Sequence, residues 1–388
     1  HAPSCRADLR RMRGESDIHG MSAVVNSNWT GKERYPTKEE KDNRSSRGSL
    51  MAKAAAKQKK AKIAVVVCTD KNLFWQSAFF LARATSLDPE KLVDFYLYCS
   101  DPFDPKLEKS LGPRVKIVFS EPTAFAEGIH LSSHVSKATF LRMTALEELC
   151  PYYEQVAYSD VDVFQRWGSF GELIGMAGHK QPLAAVRDRS LWGSEPEVWV
   201  AKNYFPKLPS GVHNRYFNAG VIVANSKVFL EQEIAQRSLA FLQDYPELCH
   251  YADQSGLNAA VNGDWLELSP SWNWQANTHY DHLIPLRNPR FVHFTGPIKP
   301  WKDKRRRFDE VYFFAMKQWL ELNGLHHVLE DITDATFLAS RERMRTRLLT
   351  EGNTNPLEMR NFVKPYIDRI DFADAELGLP VFGWTDDR

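Results

Sequence analysis

The chain has 388 residues, 43% of them apolar, enough to bury the core of one large α/β domain or two smaller ones. Its 50 basic and 49 acidic side chains leave a net charge of +1, which excludes a nucleic-acid binder that works through bulk charge. Five widely spaced cysteines without a C-x-x-C pattern (Cys5, Cys68, Cys99, Cys150, Cys249) exclude a disulfide framework and a cysteine zinc site, and point to a reducing, cytoplasmic setting.

Residues 1 to 61 are polar and show neither helical nor strand periodicity, so a disordered N-terminal extension is expected there. Met51 opens a stretch that reads as a native start, so the preceding 50 residues are expected to be either an added extension or the product of a start assigned too far upstream. There is no signal-peptide pattern and no run of roughly 18 apolar residues. The continuous apolar run from Ile63 to Cys68, closed by Thr69-Asp70, predicts a buried central strand. A helical pattern follows from Leu73 to Thr85, a strand from Val93 to Tyr98, turns at Asp101-Pro102 and Asp104-Pro105, a strand from Val115 to Phe119 and a helix from Ser136 to Leu149. Val156-Ala157-Tyr158 predicts a strand ending at Asp160. This alternation is that of an α/β fold with a mostly parallel sheet covered by helices on both faces. Ligands in such sheets bind at the carboxyl ends of strands, where Thr69-Asp70 and Asp160-Val161-Asp162 stand.

The second half is less regular. Residues 188 to 216 read as a long loop of the kind that closes over a site. A strand from Gly220 to Ala224, a helix from Phe229 to Tyr245, and a helix then strand between Asp253 and Leu268 follow. Trp272-Asn273-Trp274 and Phe291–Phe294 are short extended pieces. The two tryptophans serve as packing or as an acceptor platform, packing being the simpler reading. Beyond Trp301 lies a charged helical region to about Thr350 with Lys302, Lys304, Arg305, Arg306 and Arg307, a solvated face or a contact with an anionic lipid surface.

Asp160 and Asp162, at i and i+2 of a strand, project side by side. Two hard oxygen donors so placed suit a Mg²⁺ or Mn²⁺ ion that also holds phosphate oxygens. Asp-x-Asp by itself is common, and two solvated turn aspartates would look the same. Its company selects between them: Tyr158-Ser159-Asp160-Val161-Asp162, Phe217-Asn218-Ala219-Gly220-Val221, Tyr251-Ala252-Asp253-Gln254-Ser255-Gly256-Leu257-Asn258 and His293-Phe294-Thr295-Gly296-Pro297-Ile298-Lys299-Pro300-Trp301 occur in that order. Together, over about residues 63 to 301, they resemble family 8 of the retaining glycosyltransferases.

The resemblance implies a GT-A fold, a Rossmann-like nucleotide-diphospho-sugar transferase domain over 62–301, followed by a helical extension and tail over 302–388. It implies a UDP-sugar donor, Mn²⁺ or Mg²⁺ as cofactor, and hexosyl transfer with retention to a saccharide or glycolipid acceptor. Peripheral contact with the inner face of a membrane is compatible with it, and nucleic acid is not a partner. By the same resemblance Asp160, Asp162 and His293 are the metal ligands. Gln254 lies near the anomeric carbon, with Asp253 and Asp160 beside it in the catalytic set. Asn218, Ala219 and Asp253 meet the donor sugar, Arg142 and Val161 lie along the donor, and Cys68, Thr69, Asp70 and Asn72 form the first loop at the uridine. Asp70 would accept the uracil N–H. Gly296 would let the backbone approach the diphosphate, and Lys299 would neutralise its departing charge.

Departure of a diphosphate needs no proton when a cation absorbs the developing charge, so no Ser-His-Asp arrangement is required. An amide is a poor nucleophile, which favours attack from the face that the leaving group vacates over a covalent intermediate on Gln254. Two rival readings are a non-catalytic nucleotide-sugar or carbohydrate-binding protein and a haloacid-dehalogenase-like phosphatase. The phosphatases place Asp-x-Asp on their first strand and add a later Gly-Asp followed by another acid. Here the motif follows a hundred-odd folded residues, and Gly263-Asp264 is followed by Trp265 and Leu266.

Overall fold

The structure is a computed structural model that describes residues 63–120, 140–174, 180–193, 204–209, 212, 215–276, 284–296, 299–302, 308, 310–329 and 365–366. The expectations for residues 1 to 61, for Lys304 to Arg307 and for most of the region past 329 fall outside the described residues.

The first strand, β1 (Ile63–Thr69), is the β-branched run IAVVVCT. It is an interior strand, third in a seven-stranded sheet ordered β3-β2-β1-β4-β7-β6-β8, where β2 is Val93–Cys99, β3 Val115–Phe119, β4 Gln155–Ser159, β6 Leu183–Arg187, β7 Phe217–Asn225 and β8 Trp265–Leu268. All neighbours pair in parallel except β7, which runs antiparallel to both β4 and β6. Alternate residues of β1 fall into two separate apolar layers. Val65 and Val67 pack with Phe79, Phe80 and Leu81 of α1 (Phe74–Ser86). Ala64, Val66 and Cys68 pack with Leu141, Met143 and Leu146 of α3 (Leu141–Leu149), the helix after α2 (Pro105–Leu111), β3 and a stretch outside the described residues. Both faces are thus covered by helices, which is why β1 reads as an unbroken apolar run.

A second sheet of three strands is ordered β5-β10-β9, with β5 Val163–Gln165, β9 Trp274–Gln275 and β10 Phe291–His293. Between β5 and β6 lies α4 (Phe170–Ile174). The segment Asp160–Asp162 is the link from the large sheet to the small one. Here the structure corrects the strand reading. The two aspartates lie in a turn, with the Val163 N–H donating to Asp160 O at 3.3 Å, and strand alternation plays no part. The chain must turn because Asp160 N–H is held by Gly220 O of β7 at 2.8 Å, while Asp162 O is held by Phe294 N–H just past β10 at 3.1 Å.

The helix expected from Phe229 to Tyr245 is two helices, α5 (Ser226–Glu231) and α6 (Ile234–Asp244). Glu233 between them takes φ 52°, a left-handed residue that ends one helix before the next begins. α7 (Asp253–Val261) packs against α6 at Gly256, where a Cβ would come within 2.7 Å of Ser238 Oγ. The strand expected from Gly220 begins earlier, at Phe217. Trp272 closes a short 3₁₀ turn, Pro270–Trp272, and both Trp272 and Trp274 are buried, which settles them as packing residues. α8 (Ile284–Arg287) leads into β10. After residue 301, Tyr312, Phe313, Met316 and Leu320 of α9 (Glu310–Leu322) are buried in the α1 layer, with the Tyr312 ring 4.9 Å from Phe164 and 5.0 Å from Phe294. A short α10 (His326–Leu329) follows. Among the described residues no helix is long and apolar enough to cross a membrane.

Candidate functional site

The carboxyl ends of β1, β4 and β6 and the amino end of antiparallel β7 lie along one edge of the large sheet. The small sheet brings His293 to the same place, because β10 pairs with β5 in a register that sets His293 opposite Val163, the residue after Asp162. Asp160, Asp162 and His293 each offer a ligand atom, all within 4.8 Å of one another. His293 Nε2 is 3.3 Å from Asp162 Oδ1 and 3.7 Å from Asp160 Oδ2. Ligand atoms about 2.1 Å from an ion at right angles stand about 3 Å apart, so the set fits a divalent metal with three further positions open. Burial raises the Asp162 pKa, but His293 and Lys299 outweigh it and hold the carboxyl well below the usual range. Lys299 donates to Asp162 Oδ2 and to Phe294 O.

Arg142 of α3 forms a second layer behind the ligands. Its guanidinium donates to Asp160 Oδ1 at 2.8 Å and to Ala219 O at 2.9 Å, stacks on the Tyr158 ring at 4.1 Å, and stands 3.1 Å from Asp253 Oδ2. That last contact is an ion pair and not an aligned hydrogen bond. Tyr158 also donates to Asp160 Oδ1 at 2.6 Å, so two donors fix one carboxylate oxygen and leave the other toward His293. Burial pushes the Asp253 pKa up to about 6; Arg142 opposes the shift and Asp160 adds to it. Burial disfavours charge on Arg142, yet Asp253, Tyr158 and Asp160 together raise its pKa.

A chain of buried amides connects the metal side to the α7 side. Gln254 Oε1 accepts from Ala219 N–H at 3.1 Å and from Asn218 Nδ2 at 3.2 Å, while its Nε2 donates to Asp188 Oδ2 at 3.2 Å. Asn218 Oδ1 accepts from Gly220 N–H at 3.0 Å and from Asn273 Nδ2 at 2.9 Å, and Asn273 Oδ1 lies 3.0 Å from His293 Nδ1. The strand irregularity between Ala185 and Val186 makes this possible. Pairing with β6 jumps from Ile222 to Asn218, so Ala219–Val221 are released from pairing with β6.

The structure therefore brings together Asp160, Asp162, His293, Arg142, Asn218, Ala219, Asp253, Gln254 and Lys299. In the first loop the side chains of Cys68 and Thr69 are buried, and burial raises the Cys68 thiol pKa. Asp70 is half-buried and Asn72 exposed. Asp70 is occupied locally, accepting from Asn72 N–H at 2.9 Å as the cap of the following turn. Val161 points into the α1 layer. Among the described residues, a Cβ on Gly296 would meet nothing within 4 Å. Much of the loop 188–216 lies outside the described residues. Its described part anchors the site through Tyr204 and Tyr216, whose hydroxyls gather on Ser255 of α7.

Four residues escaped the sequence reading. Asp188 follows β6 and holds both Gln254 and Asn218; its position at the carboxyl end of a strand was the available signal. Tyr158 stands two residues before Asp160. Gly220 lies so close to His293 that a Cβ would be 2.1 Å from its Cε1. Asn273, hidden between two tryptophans, carries no local signal.

The family model described as "Glycosyl transferase family 8" matches residues 104–305. The chain is 25% identical over 246 residues to lipopolysaccharide 1,3-galactosyltransferase of Salmonella typhimurium, covering 60% of this chain and 71% of that protein. It is 25% identical over 276 residues to general stress protein A of Bacillus subtilis, covering 65% and 92%. The solved structure of the galactosyltransferase LgtC with donor and acceptor sugar analogues aligns at a TM-score of 0.49 and 20% identity, covering 74% of this chain and 100% of that one.

Proposed function

The chain belongs to glycosyl transferase family 8, and from that premise we propose that it moves a hexosyl group from a UDP-sugar to a saccharide acceptor with retention of configuration. Asp160, Asp162 and His293 would hold Mn²⁺ or Mg²⁺. The observation that carries the reading is the meeting of these three side chains within 4.8 Å across two sheets, with Lys299 beside them. When bound, the cation would supply Lewis-acid stabilisation of the diphosphate.

The chain's own residues do the rest. Arg142 and Tyr158 fix Asp160, so its carboxylate costs little reorganisation on binding. Lys299 turns to the phosphates as their charge develops. Asn218, Ala219 and Asp253 face the sugar, and Gln254, locked by Asp188 and Ala219, sits beneath its anomeric carbon. The C1–O bond breaks, its electron pair leaving with UDP. The acceptor hydroxyl attacks C1 from the same face and passes its proton to the departing phosphate oxygen. Developing positive charge on the ring resembles that of glycoside hydrolysis. The Salmonella relative is named a lipopolysaccharide 1,3-galactosyltransferase, which supports a galactosyl donor and a lipopolysaccharide-like glycolipid acceptor.

The test is UDP release by purified protein offered UDP-glucose, UDP-galactose, UDP-N-acetylglucosamine and UDP-galacturonate with Mn²⁺. Chelation should abolish release and Mn²⁺ restore it, and Asp162→Ala should lose about three orders of magnitude in rate. Full turnover in EDTA would overturn the proposal.

A further inference from the structure

We propose that Asn273 is a positioning residue that holds the His293 ring with a proton on Nδ1, so that Nε2 is the nitrogen presented to Asp160 and Asp162. The inference rests on the metal reading given above. It follows from the direction of a hydrogen-bond chain that begins at a group with no ambiguity. The Gly220 backbone N–H can only donate. It lies 3.0 Å from Asn218 Oδ1, so that atom is the carbonyl oxygen. The Ala219 N–H fixes Gln254 Oε1 in the same way, at 3.1 Å, and Gln254 in turn receives the Asn218 amide N–H at 3.2 Å. Asn218 is thus oriented from both ends. The Asn273 group facing Asn218 Oδ1 at 2.9 Å must then be its amide N–H, and its oxygen must face His293 Nδ1 at 3.0 Å. An oxygen there requires a protonated Nδ1. Asn273 and His293 are both buried, so water does not compete for these positions.

The ring is held sterically as well. It lies against Gly220, with the space of a Cβ occupied by its Cε1 and Nδ1, and the β10 backbone fixes its stem through Ala276 N–H to His293 O at 2.8 Å. Nε2 consequently faces the two carboxylates, at 3.3 and 3.7 Å. Partners of this kind on a ligating histidine typically change metal affinity by about 10- to 100-fold. Because the same chain runs on through Asn218 to Gln254, Asn273 also links the metal side of the site to the sugar side.

Two measurements on the full chain test this. Long-range ¹H–¹⁵N correlation of ¹⁵N-histidine protein, with the His293 signals identified by their loss in His293→Gln, reads the tautomer without any change at Asn273. A proton on Nδ1 is expected, and a ring protonated on Nε2 alone overturns the proposal. Mn²⁺ titration followed by electron paramagnetic resonance then compares two variants. Asn273→Asp keeps an acceptor for Nδ1–H and should bind Mn²⁺ at least as tightly as the wild type, while losing sugar transfer because it can no longer donate to Asn218. Asn273→Leu removes the acceptor and should bind Mn²⁺ about tenfold more weakly or worse. Wild-type Mn²⁺ affinity in a folded Asn273→Leu protein overturns the proposal. If that variant does not fold, the tautomer measurement decides. A wild-type protein that binds no Mn²⁺ would defeat the metal reading instead, and the tautomer would still decide the role of Asn273.

Discussion

Arg142 and Asp253 form a buried ion pair, Nε to Oδ2 at 3.1 Å, with each side chain only 5% exposed. The same guanidinium holds Asp160, so a single cation serves one carboxylate at the metal side and another at the start of α7. Removing it would leave both acids to repel each other in a site with little water.

Asp253 therefore titrates where the enzyme can be assayed. Its folded pKa of about 6 lies above the unfolded value of about 3.9. Between the two, the folded state binds more protons than the unfolded one, so this group's contribution to stability falls as pH rises from about 4 to about 6 and is level above that. Activity should move the other way, since the ionised carboxylate is the form that pairs with Arg142 and, on the proposed reading, would accept a sugar hydroxyl. We expect kcat/KM to fall below about pH 6. Asp253→Asn should flatten that limb and cut transfer by about 10²-fold with UDP affinity kept. An acid limb that persists unchanged in Asp253→Asn would assign the titration to another group.

Lys299 places an ammonium on Asp162, on the oxygen opposite the one facing His293. On the proposed reading it would repel an incoming cation before nucleotide binds and attract the diphosphate afterwards. Lys299→Met should bind Mn²⁺ alone a few-fold more tightly and UDP with Mn²⁺ about tenfold more weakly, an opposite pair of shifts measurable by calorimetry. Parallel shifts of both affinities would contradict this role.

Gly220 has no room for a side chain. A Cβ would lie 2.1 Å from His293 Cε1 and 2.3 Å from Nδ1, so Gly220→Ala must displace the ring or the strand. Overpacking of this kind costs roughly 1–3 kcal/mol of stability. The expected result is a folded but weakened protein, seen in urea denaturation, whose Mn²⁺ binding has fallen by about 10- to 100-fold. Unchanged Mn²⁺ affinity would show that His293 is not a ligand.

Ala252 takes φ 48° and ψ −127°, a conformation that suits glycine, at the residue before Asp253. The turn is held by Gln254 N–H to Tyr251 O at 3.2 Å and by Tyr251 N–H to Ser255 Oγ at 3.1 Å, with the Tyr204 hydroxyl on the same serine at 2.6 Å. Strain at a non-glycine position of this kind costs about 1–3 kcal/mol, while glycine loses about 0.4–1 kcal/mol through its freer unfolded chain. Ala252→Gly should hold or raise the unfolding midpoint and yet lower kcat, because Asp253 and Gln254 are less firmly aimed. A fall in stability together with kcat would make Ala252 an ordinary structural residue.

Much of the fold was legible. β1, α1, β2 and β3 lie within a residue or so of their expected bounds, because long buried runs and a clear helical period repeat along the chain itself. Where the expectation slipped, a local conformation overrode the period: the left-handed Glu233 divided one helix into two, and the turn at Asp160 replaced strand alternation. The metal set was named from ordered motifs that recur in a family, since a ligand type at a characteristic place is a property of sequence.

What the amino-acid order determined by itself was the central sheet, the layer of helices and the kinds of side chain available for the site. What only the tertiary structure decided was their partnership. His293 reaches Asp162 because β10 takes one register against β5 and not the neighbouring one. Asn273, Asp188 and Gly220 acquire roles only once β7, β9 and β10 converge, since an amide has no direction until a fixed backbone donor confronts it, and a glycine is indispensable only where another ring occupies its missing Cβ.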